Sequence, residues 1–171
     1  MSRRSIALLL VLTMILIGFA GVASASSHEA GVALYDQATR LFYVKDDSSA
    51  GPADRVFAYG PLGNEWLPAA GDWNGDGYYG VALYDQANRL FYIKDDATAG
   101  PADDVFAYGS LGNDWLPVAG DWNGDGQYGV ALYDQTRGLF LIKETATAGT
   151  ADRVFRYGPE GNDWLPVAGI W

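Results

Sequence analysis

The stretch Gly31-Val-Ala-Leu-Tyr-Asp-Gln37 decides the fold, because it returns unchanged from Gly80 and again from Gly129. The spacing between returns is 49 residues both times. All six tryptophans obey the same spacing, at positions 66, 115, 164 and 73, 122, 171. Repetition at a fixed period of this length is typical of proteins built from stacked structural units. We therefore read residues 31–171 as one domain of three units, 31–79, 80–128 and 129–171.

Each unit contains four short segments that are rich in β-branched and aromatic residues, which favour strands. In the first unit these segments are 32–35, 41–45, 56–59 and 67–73, and the residues between them include Gly, Pro, Asp and Asn, which favour turns. Four strands in a repeat of this size are typical of a β-propeller blade. We predict an all-β fold of three four-stranded, propeller-type blades.

The N-terminal residues have the features of a secretory signal peptide. Arg3 and Arg4 precede an apolar run from Ile6 to Ala20, and Ala23-Ser24-Ala25 provides a cleavage pattern of small residues. We predict a signal peptide at 1–25, a short segment at 26–30 and an exported, extracellular protein. The apolar run is short for a membrane span and is not repeated, so no membrane insertion is expected after signal removal.

The composition limits the partners and the chemistry. The formal net charge is −10, which argues against nucleic acid, because phosphates are neutralised by Lys and Arg. The chain has no cysteine, and its single histidine, His28, precedes the repeats. The paired acids Asp46-Asp47 and Asp95-Asp96 lie in polar loops that are typical of solvated turns. We therefore expect a non-catalytic protein.

The sequence Asp72-Trp-Asn-Gly-Asp-Gly77 joins the first two units, and it returns as Asp121-Trp-Asn-Gly-Asp-Gly126. Oxygen side chains at loop positions 1, 3 and 5, a glycine at position 6 and a carbonyl at position 7 can converge on Ca²⁺. Position 12 is leucine in both copies, so an EF-hand is excluded. The predicted ligands are Asp72, Asn74, Asp76, Tyr78, Asp121, Asn123, Asp125 and Gln127.

A plain turn is the alternative interpretation, because Asn-Gly and Asp-Gly are frequent hairpin turns without any metal. Calcium is favoured by Asp72 and Asp121, since a simple turn does not require a carboxylate at loop position 1. Two carboxylates and one amide predict weak binding, with a dissociation constant on the order of 10⁻⁴ to 10⁻³ M.

The combination of Val-Ala-Gly-Asp-Trp-Asn-Gly-Asp-Gly at 118–126 with Gly-Val-Ala-Leu-Tyr-Asp at 129–134 resembles the FG-GAP or VCBS-type repeat. That repeat occurs in integrin α-subunit propellers and in many secreted bacterial proteins, and the resemblance extends from Gly31 to Trp171. It implies that the loop joins the two inner strands of a blade and binds calcium. Many family members carry aspartate at loop position 9, where this chain has Gly80 and Gly129.

The resemblance also implies how the strands are grouped. The segment 67–73 would be the inner strand of a blade whose other three strands come from 80–108. The first blade would then lack its inner strand, and residues 164–171 would be an inner strand without a blade. Propellers contain about four to eight blades, so three do not close alone. A homodimer of six blades is one solution; an open arc and a larger ring are the others.

Three recurring tryptophans are candidates for ligand binding. Trp66, Trp115 and Trp164 each precede Leu-Pro at the junction of a loop and a strand. They could stack on sugar rings, as in secreted propeller lectins that resemble this repeat, or they could pack one blade on the next. The sequence therefore leaves three functions open: recognition of an extracellular protein, recognition of a glycan, and a purely structural or assembly role.

Overall fold

The computed structural model describes residues 30–112 and 114–170, in which eleven β-strands and no helix are found. The predicted signal peptide lies outside the described residues. No helix in the described part of the chain is long and apolar enough to cross a membrane. The strands are β1 (Val32–Asp36), β2 (Leu41–Lys45), β3 (Arg55–Ala58), β4 (Leu67–Gly71), β5 (Gly80–Asp85), β6 (Leu90–Lys94), β7 (Asp104–Ala107), β8 (Leu116–Gly120), β9 (Gly129–Asp134), β10 (Leu139–Lys143) and β11 (Arg153–Arg156).

These strands form three antiparallel sheets, and two of the sheets take strands from two units. The first sheet has the order β1-β2-β3, the second β4-β5-β6-β7 and the third β8-β9-β10-β11. The last strand of a unit therefore pairs with the first strand of the next unit, as the resemblance implies. Each sheet is a meander, in which consecutive strands pair with their neighbours.

The prediction of four strands in every unit is wrong for the third unit. Residues 165–169 correspond to β4 and β8, but they form no strand. In the first two units this segment pairs with the strand that opens the next unit, for example Leu67 with Tyr84. Within residues 30–112 and 114–170, no strand pairs with the last segment of the third unit.

The core lies between the sheets rather than inside any one of them. Phe42 and Phe57 of the first sheet pack against Val81 and Leu83 of the second. The opposite face of the second sheet packs against the third, where Leu132 is fully buried. Because neighbouring residues of a strand point to opposite faces, every residue of the central strand β5 is buried.

The first three segments of each unit form strands close to the predicted bounds, and the fourth is shorter than predicted. Strand β4 ends at Gly71, whereas the sequence predicted that it reaches Trp73. Asp72 begins the connecting loop, and Trp73 is buried in the cluster between the second and third sheets. The two strands β4 and β8 lie side by side, so the loops that follow them are at the same end of the molecule.

Candidate functional site

The carboxylate of Asp72 organises the first loop by accepting hydrogen bonds from three backbone N–H groups. Its Oδ1 accepts from Gly75 at 2.7 Å and from Asp76 at 3.1 Å, and its Oδ2 accepts from Gly77 at 2.8 Å. The side chain itself is buried. Hydrogen bonds from backbone N–H groups to a charged acceptor are favourable, so this carboxylate stabilises the loop without requiring a metal.

The next two predicted ligands, Asn74 and Asp76, contact each other at the surface. Asn74 Nδ2 donates to Asp76 Oδ2 at 3.0 Å, and the backbone N–H of Asp76 donates to Asn74 Oδ1 at 3.1 Å. The remaining carboxylate oxygen of Asp76 accepts from the backbone N–H of Tyr78 at 2.8 Å. The amide nitrogen of Asn74 thus contacts the Asp76 carboxylate, and both residues are exposed to solvent.

The second loop repeats this geometry. Asp121 accepts from Gly124 at 2.8 Å, from Asp125 at 3.1 Å and from Gly126 at 3.0 Å. Asn123 donates to Asp125 at 2.8 Å, and Asp125 accepts from the N–H of Gln127 at 2.8 Å. The backbone bond from Gln127, ahead of the bond from Asn123, lowers the pKa of Asp125. Two loops of the same sequence therefore have the same conformation in different surroundings.

These loops fit calcium by the chemistry of their donors, because carboxylate, amide and carbonyl oxygens are the ligands that Ca²⁺ prefers. Within the described residues, no three His, Cys, Asp or Glu side chains are grouped so that they could hold a metal ion. Each loop offers two carboxylates and one amide. Three N–H groups of the loop donate to Asp72, so a plain turn also uses this carboxylate. The presence of Asp72 therefore does not favour calcium over a plain turn. Calcium therefore stays a prediction.

The structure explains why glycine stands at loop position 9. A Cβ atom on Gly80 would lie 2.1 Å from the carbonyl oxygen of Lys94, and one on Gly129 would lie 2.3 Å from that of Lys143. Both distances are far below van der Waals contact, so no side chain fits there. Any ion in these loops would bind without a side-chain ligand at position 9.

A third carboxylate, Asp95, was not predicted as part of this site. It follows β6, and burial raises its pKa first, with smaller contributions from the negative charges of Asp103 and Asp76. Asp95 lies beside the end of the first loop, since a Cβ on Gly80 would be 2.7 Å from its carbonyl oxygen, and Asp76 is among the charges that raise the pKa of Asp95. The sequence offered no signal for this proximity, because the two acids belong to different turns.

The two loops are joined by side chains from equivalent repeat positions. The hydroxyls of Tyr79 and Tyr128 are 2.7 Å apart, and their rings meet edge to face at 5.3 Å. Gln127 Nε2 donates to the carbonyl of Trp73 at 2.5 Å, and the N–H of Tyr128 donates to the carbonyl of Asp72 at 2.7 Å. Burial, followed by the bond to Tyr79, raises the pKa of Tyr128 to about 12.

The three tryptophans that were predicted to bind ligands have different environments. The indole of Trp66 stacks on Tyr92 of the second sheet, with ring centroids 4.4 Å apart and planes 13° from parallel. Trp115 is half-buried against the cluster between the second and third sheets. Trp164 is 58% exposed. In the first two units the tryptophan thus packs one sheet on the next, and in the third no sheet follows.

A groove of about 480 Å³ runs between the first and second sheets. Trp66, Tyr92, Tyr59, Arg40 and Pro101 contribute to its walls. The Tyr59 hydroxyl is buried there without a hydrogen-bond partner, and burial raises its pKa. Arg40 Nη1 donates to the carbonyl of Gly60 at 2.9 Å, which fixes the guanidinium at the rim.

The first sheet is open at β1. Leu34 is 73% exposed and Val32 is 58% exposed, although the same residues of β5 and β9 are buried. Among the described residues, no strand pairs with the outer edge of β1 as β4 pairs with β5 and β8 pairs with β9. The first sheet therefore presents both an unpaired strand edge and an uncovered apolar face, and the sequence of β1 alone does not distinguish it from β5.

Comparison of the chain with protein-family models, curated proteins and solved structures gives no match. The interpretation of function therefore rests on the residues and the geometry described above.

Proposed function

We propose that this chain is an exported, non-catalytic recognition and adhesion module with propeller-type blades, and that it recognises its partner at the open first sheet. One observation carries the proposal. The sequence Val-Ala-Leu-Tyr-Asp is wholly buried in β5 and β9 but largely exposed in β1. Strands β5 and β9 have a pairing strand on both edges, whereas β1 pairs only with β2 among the described residues. The free edge of β1 is therefore expected to bind an additional strand.

The mode of binding would be β-strand addition, in which an extended segment joins a sheet edge through backbone hydrogen bonds. Proteins commonly protect such edges with charged residues, proline or bulges. Residues 31–35 contain none of these, and they are all small, aliphatic or aromatic. An unprotected edge next to an apolar face supports a role in association over a role as an inert surface.

Calcium would assist this module by stiffening the two loops at one end of the sheets. The oxygens of Asp72, Asn74 and Asp76 in the first loop, and their equivalents in the second, support a weak site for a hard cation. Titration calorimetry with millimolar CaCl₂ tests this part of the proposal. We expect heat that saturates with two ions per chain and that is halved in Asp125→Ala. No heat at these concentrations would refute calcium binding.

The recognition role is tested with a labelled peptide that has the sequence of residues 162–171. We would add it to a chain carrying Val167→Asp, whose own last segment is then poorly suited to pair with an edge. We expect a saturable rise in fluorescence anisotropy, which Leu34→Asp abolishes. The control Leu62→Asp changes a residue that is 70% exposed in a turn away from the edge, and it should bind as before. Absence of binding to every variant would refute strand addition.

Carbohydrate binding is the second candidate function, and the groove between the first two sheets favours it. Its apolar walls carry the buried, unpartnered hydroxyl of Tyr59 and the guanidinium of Arg40 at the rim. Aromatic walls with a few polar groups are typical of small-ligand sites. A glycan array tests this candidate: a signal that is lost in Tyr59→Phe, with unchanged circular dichroism, would support it. No signal on the array leaves protein recognition as the function.

A further inference from the structure

We infer that the segment which completes the open first sheet comes from a second copy of this chain, so that two chains close one ring of six sheets. The inference rests on the proposed function, because it names the partner of the proposed strand edge. It also predicts a composite groove that neither chain contains alone.

The last segment of the chain and the strand β1 have the same sequences as β8 and β9, which pair with each other within the chain. Residues 165–169 read Leu-Pro-Val-Ala-Gly, which is identical to β8. Residues 31–36 read Gly-Val-Ala-Leu-Tyr-Asp, which is identical to β9 and to β5. The donor and the acceptor therefore have the residues of the β8–β9 pair. Their physical compatibility is established within the same molecule.

The existing pairs also determine the register. Val118 of β8 lies opposite Ala131 of β9, and Pro117 lies opposite Leu132. Transferred to the new pair, Val167 lies opposite Ala33 of the second copy. A slip of one residue would turn every side chain to the other face, so only this register buries the same residues as the internal pairs.

The donor segment, residues 165–169, is preceded by the same glutamine–tryptophan hydrogen bond that precedes β4 and β8. Gln37 Nε2 donates to the carbonyl of Trp66 at 3.0 Å, and Gln86 does the same to Trp115 at 2.9 Å. Gln135 donates to the carbonyl of Trp164, also at 2.9 Å. The chain is thus held in the same way up to Trp164, and only the residues after it lack a strand to pair with.

The faces beside this strand are complementary as well. Phe155, Tyr157 and Trp164 are exposed on the third sheet, and Val32, Leu34 and Tyr43 are exposed on the first. The repeat relates Trp164 and Tyr43 of the second copy to Trp66 and Tyr92, which stack at 4.4 Å. The same relation places Leu34 of the second copy against Gly158. Gly60 is the equivalent glycine, and a Cβ on it would lie 2.6 Å from Leu83.

Contact between these faces would create a second kind of groove. In the existing groove, Tyr59 and Trp66 of one sheet face Tyr92 and Pro101 of the next. At the junction of two chains the equivalent residues are Tyr157 and Trp164 of one chain with Tyr43 and Pro52 of the other. Arg156 stands where the existing groove has Ala58, and Gly138 stands where it has Arg40. Because Arg156 is paired with Glu160, these replacements give the groove between chains no additional positive charge.

The number of chains follows from the number of sheets. The described residues form three sheets, and the first keeps an unpaired edge in the single chain. Propellers close with about four to eight blades. Two copies give six sheets, whereas three copies would exceed this range. In the dimer each chain donates its last segment and accepts that of its partner, so both open edges are covered at once.

Absolute mass by light scattering is the first test, made on the exported protein. We expect the mass of two chains, and the mass of one chain for Leu34→Asp. The matched variant Leu62→Asp, equally exposed in the single chain, should keep the mass of two. Both aspartate variants should retain the circular dichroism of a β-sheet protein, because neither leucine is buried in the single chain.

Disulfide trapping is the second test, and the absence of native cysteine makes it unambiguous. Ala33→Cys and Val167→Cys, combined in one chain, should give a covalent dimer on oxidation, since directly opposite strand residues lie within disulfide range. The control combines Ala33→Cys with Ala168→Cys, one residue out of register, and it should crosslink far less.

The outcomes separate this inference from the proposed function. A single-chain mass for the unmodified protein, together with binding of the labelled peptide, would overturn the dimer and leave strand addition intact. A double mass without crosslinking of Ala33→Cys to Val167→Cys would overturn the inferred register and donor. A disulfide formed within one chain would show self-closure instead. A single-chain mass without peptide binding would remove both proposals.

Discussion

Asp72 and Asp121 occupy the first position of loops that look, in sequence, like cation sites. Each carboxylate accepts three backbone N–H groups of its own loop, at 2.7 to 3.1 Å. Asp76 accepts one backbone N–H from Tyr78 and is exposed. The acids of one loop therefore have separable roles: the first organises the backbone, and the fifth position is free to respond to an ion.

Replacing Asp72 with alanine should destabilise the protein even without calcium. The three N–H groups would lose their acceptor, and a hydrogen bond to a charged group contributes about 1.5–3 kcal/mol. Urea unfolding in chelator measures this change in the free energy of unfolding. Asp76→Ala is the matched control and should cost clearly less in chelator. In calcium, wild type should gain stability and both variants should lose that gain. Equal costs in chelator would contradict the separation of roles.

In each unit, the turn between the second and third strands is stabilised by an aspartate that contacts a lysine side chain and a backbone N–H group. In the second unit, the N–H of Asp95 donates to Asp103 at 2.9 Å, and Lys94 Nζ lies 3.1 Å from the same carboxylate. The backbone bond, and then the lysine, lower the pKa of Asp103. Asp54 and Asp152 have the same two kinds of partner and also have lowered pKa values.

These carboxylates should make stability fall in acid. A group whose pKa is lower in the folded state stabilises the protein above its unfolded pKa, and the contribution disappears as the pH falls through the folded value. Urea midpoints between about pH 5 and about pH 2 should therefore decrease. In Asp103→Asn the decrease should be smaller, because one of three such groups no longer titrates. Parallel curves for variant and wild type would contradict this assignment.

At the scale of elements, a glycine that approaches the neighbouring strand closely stands at the start of β5 and β9 and directly before β1. A Cβ atom on Gly129 would lie 2.3 Å from the carbonyl oxygen of Lys143, at the end of β10. The φ angle of Gly129 is not positive, so steric contact rather than backbone conformation requires glycine there. The start of β9 is thus fixed by the absence of a side chain.

Gly129→Ala should lower the free energy of unfolding by about 1–3 kcal/mol, because the backbone of two strands would have to move apart. Gly161→Ala is a useful comparison, since no atom lies within 4 Å of its Cβ position and only its φ of 66° opposes alanine. That variant should cost about 1–2 kcal/mol, from the left-handed backbone alone. Denaturant titration of both measures the difference. A larger cost at Gly161 would contradict the steric explanation.

At the scale of the whole molecule, the three sheets leave apolar surface uncovered at both ends of their row. The core lies between neighbouring sheets, so in the described part of the chain no further sheet covers the outer faces of the first and third sheets. Leu34, Tyr157 and Trp164 are all more than half exposed as a result. Association would bury these faces and would link stability to protein concentration.

The melting temperature should therefore rise with concentration, because ring closure stabilises the folded chains by mass action. Differential scanning fluorimetry from about 1 to about 100 µM should show this rise for wild type and for Leu62→Asp. Leu34→Asp should melt at a lower temperature that does not depend on concentration. A concentration-independent melting temperature for wild type, with the mass of one chain, would contradict association.

Much of the local structure could be predicted from the sequence, because each strand and turn pattern occurs three times at a spacing of 49 residues. Turn residues and strand formers gave the existence and approximate bounds of β1 to β11. The loop sequence indicated where side-chain oxygens would gather. The hydrogen bonds of Asp72 could not be predicted, since they depend on the path of the backbone within the loop, and Asp95 approaches the site from another turn.

The sequence by itself determined that this protein is a chain of repeated β units, because turn and strand preferences act locally and are the same in every copy. Only the tertiary structure decided which copy of a residue is buried. Trp66 and Trp164 have the same neighbours in sequence, yet one stacks on Tyr92 and the other is 58% exposed. Burial depends on the sheet that packs alongside, and among the described residues no such sheet covers Trp164.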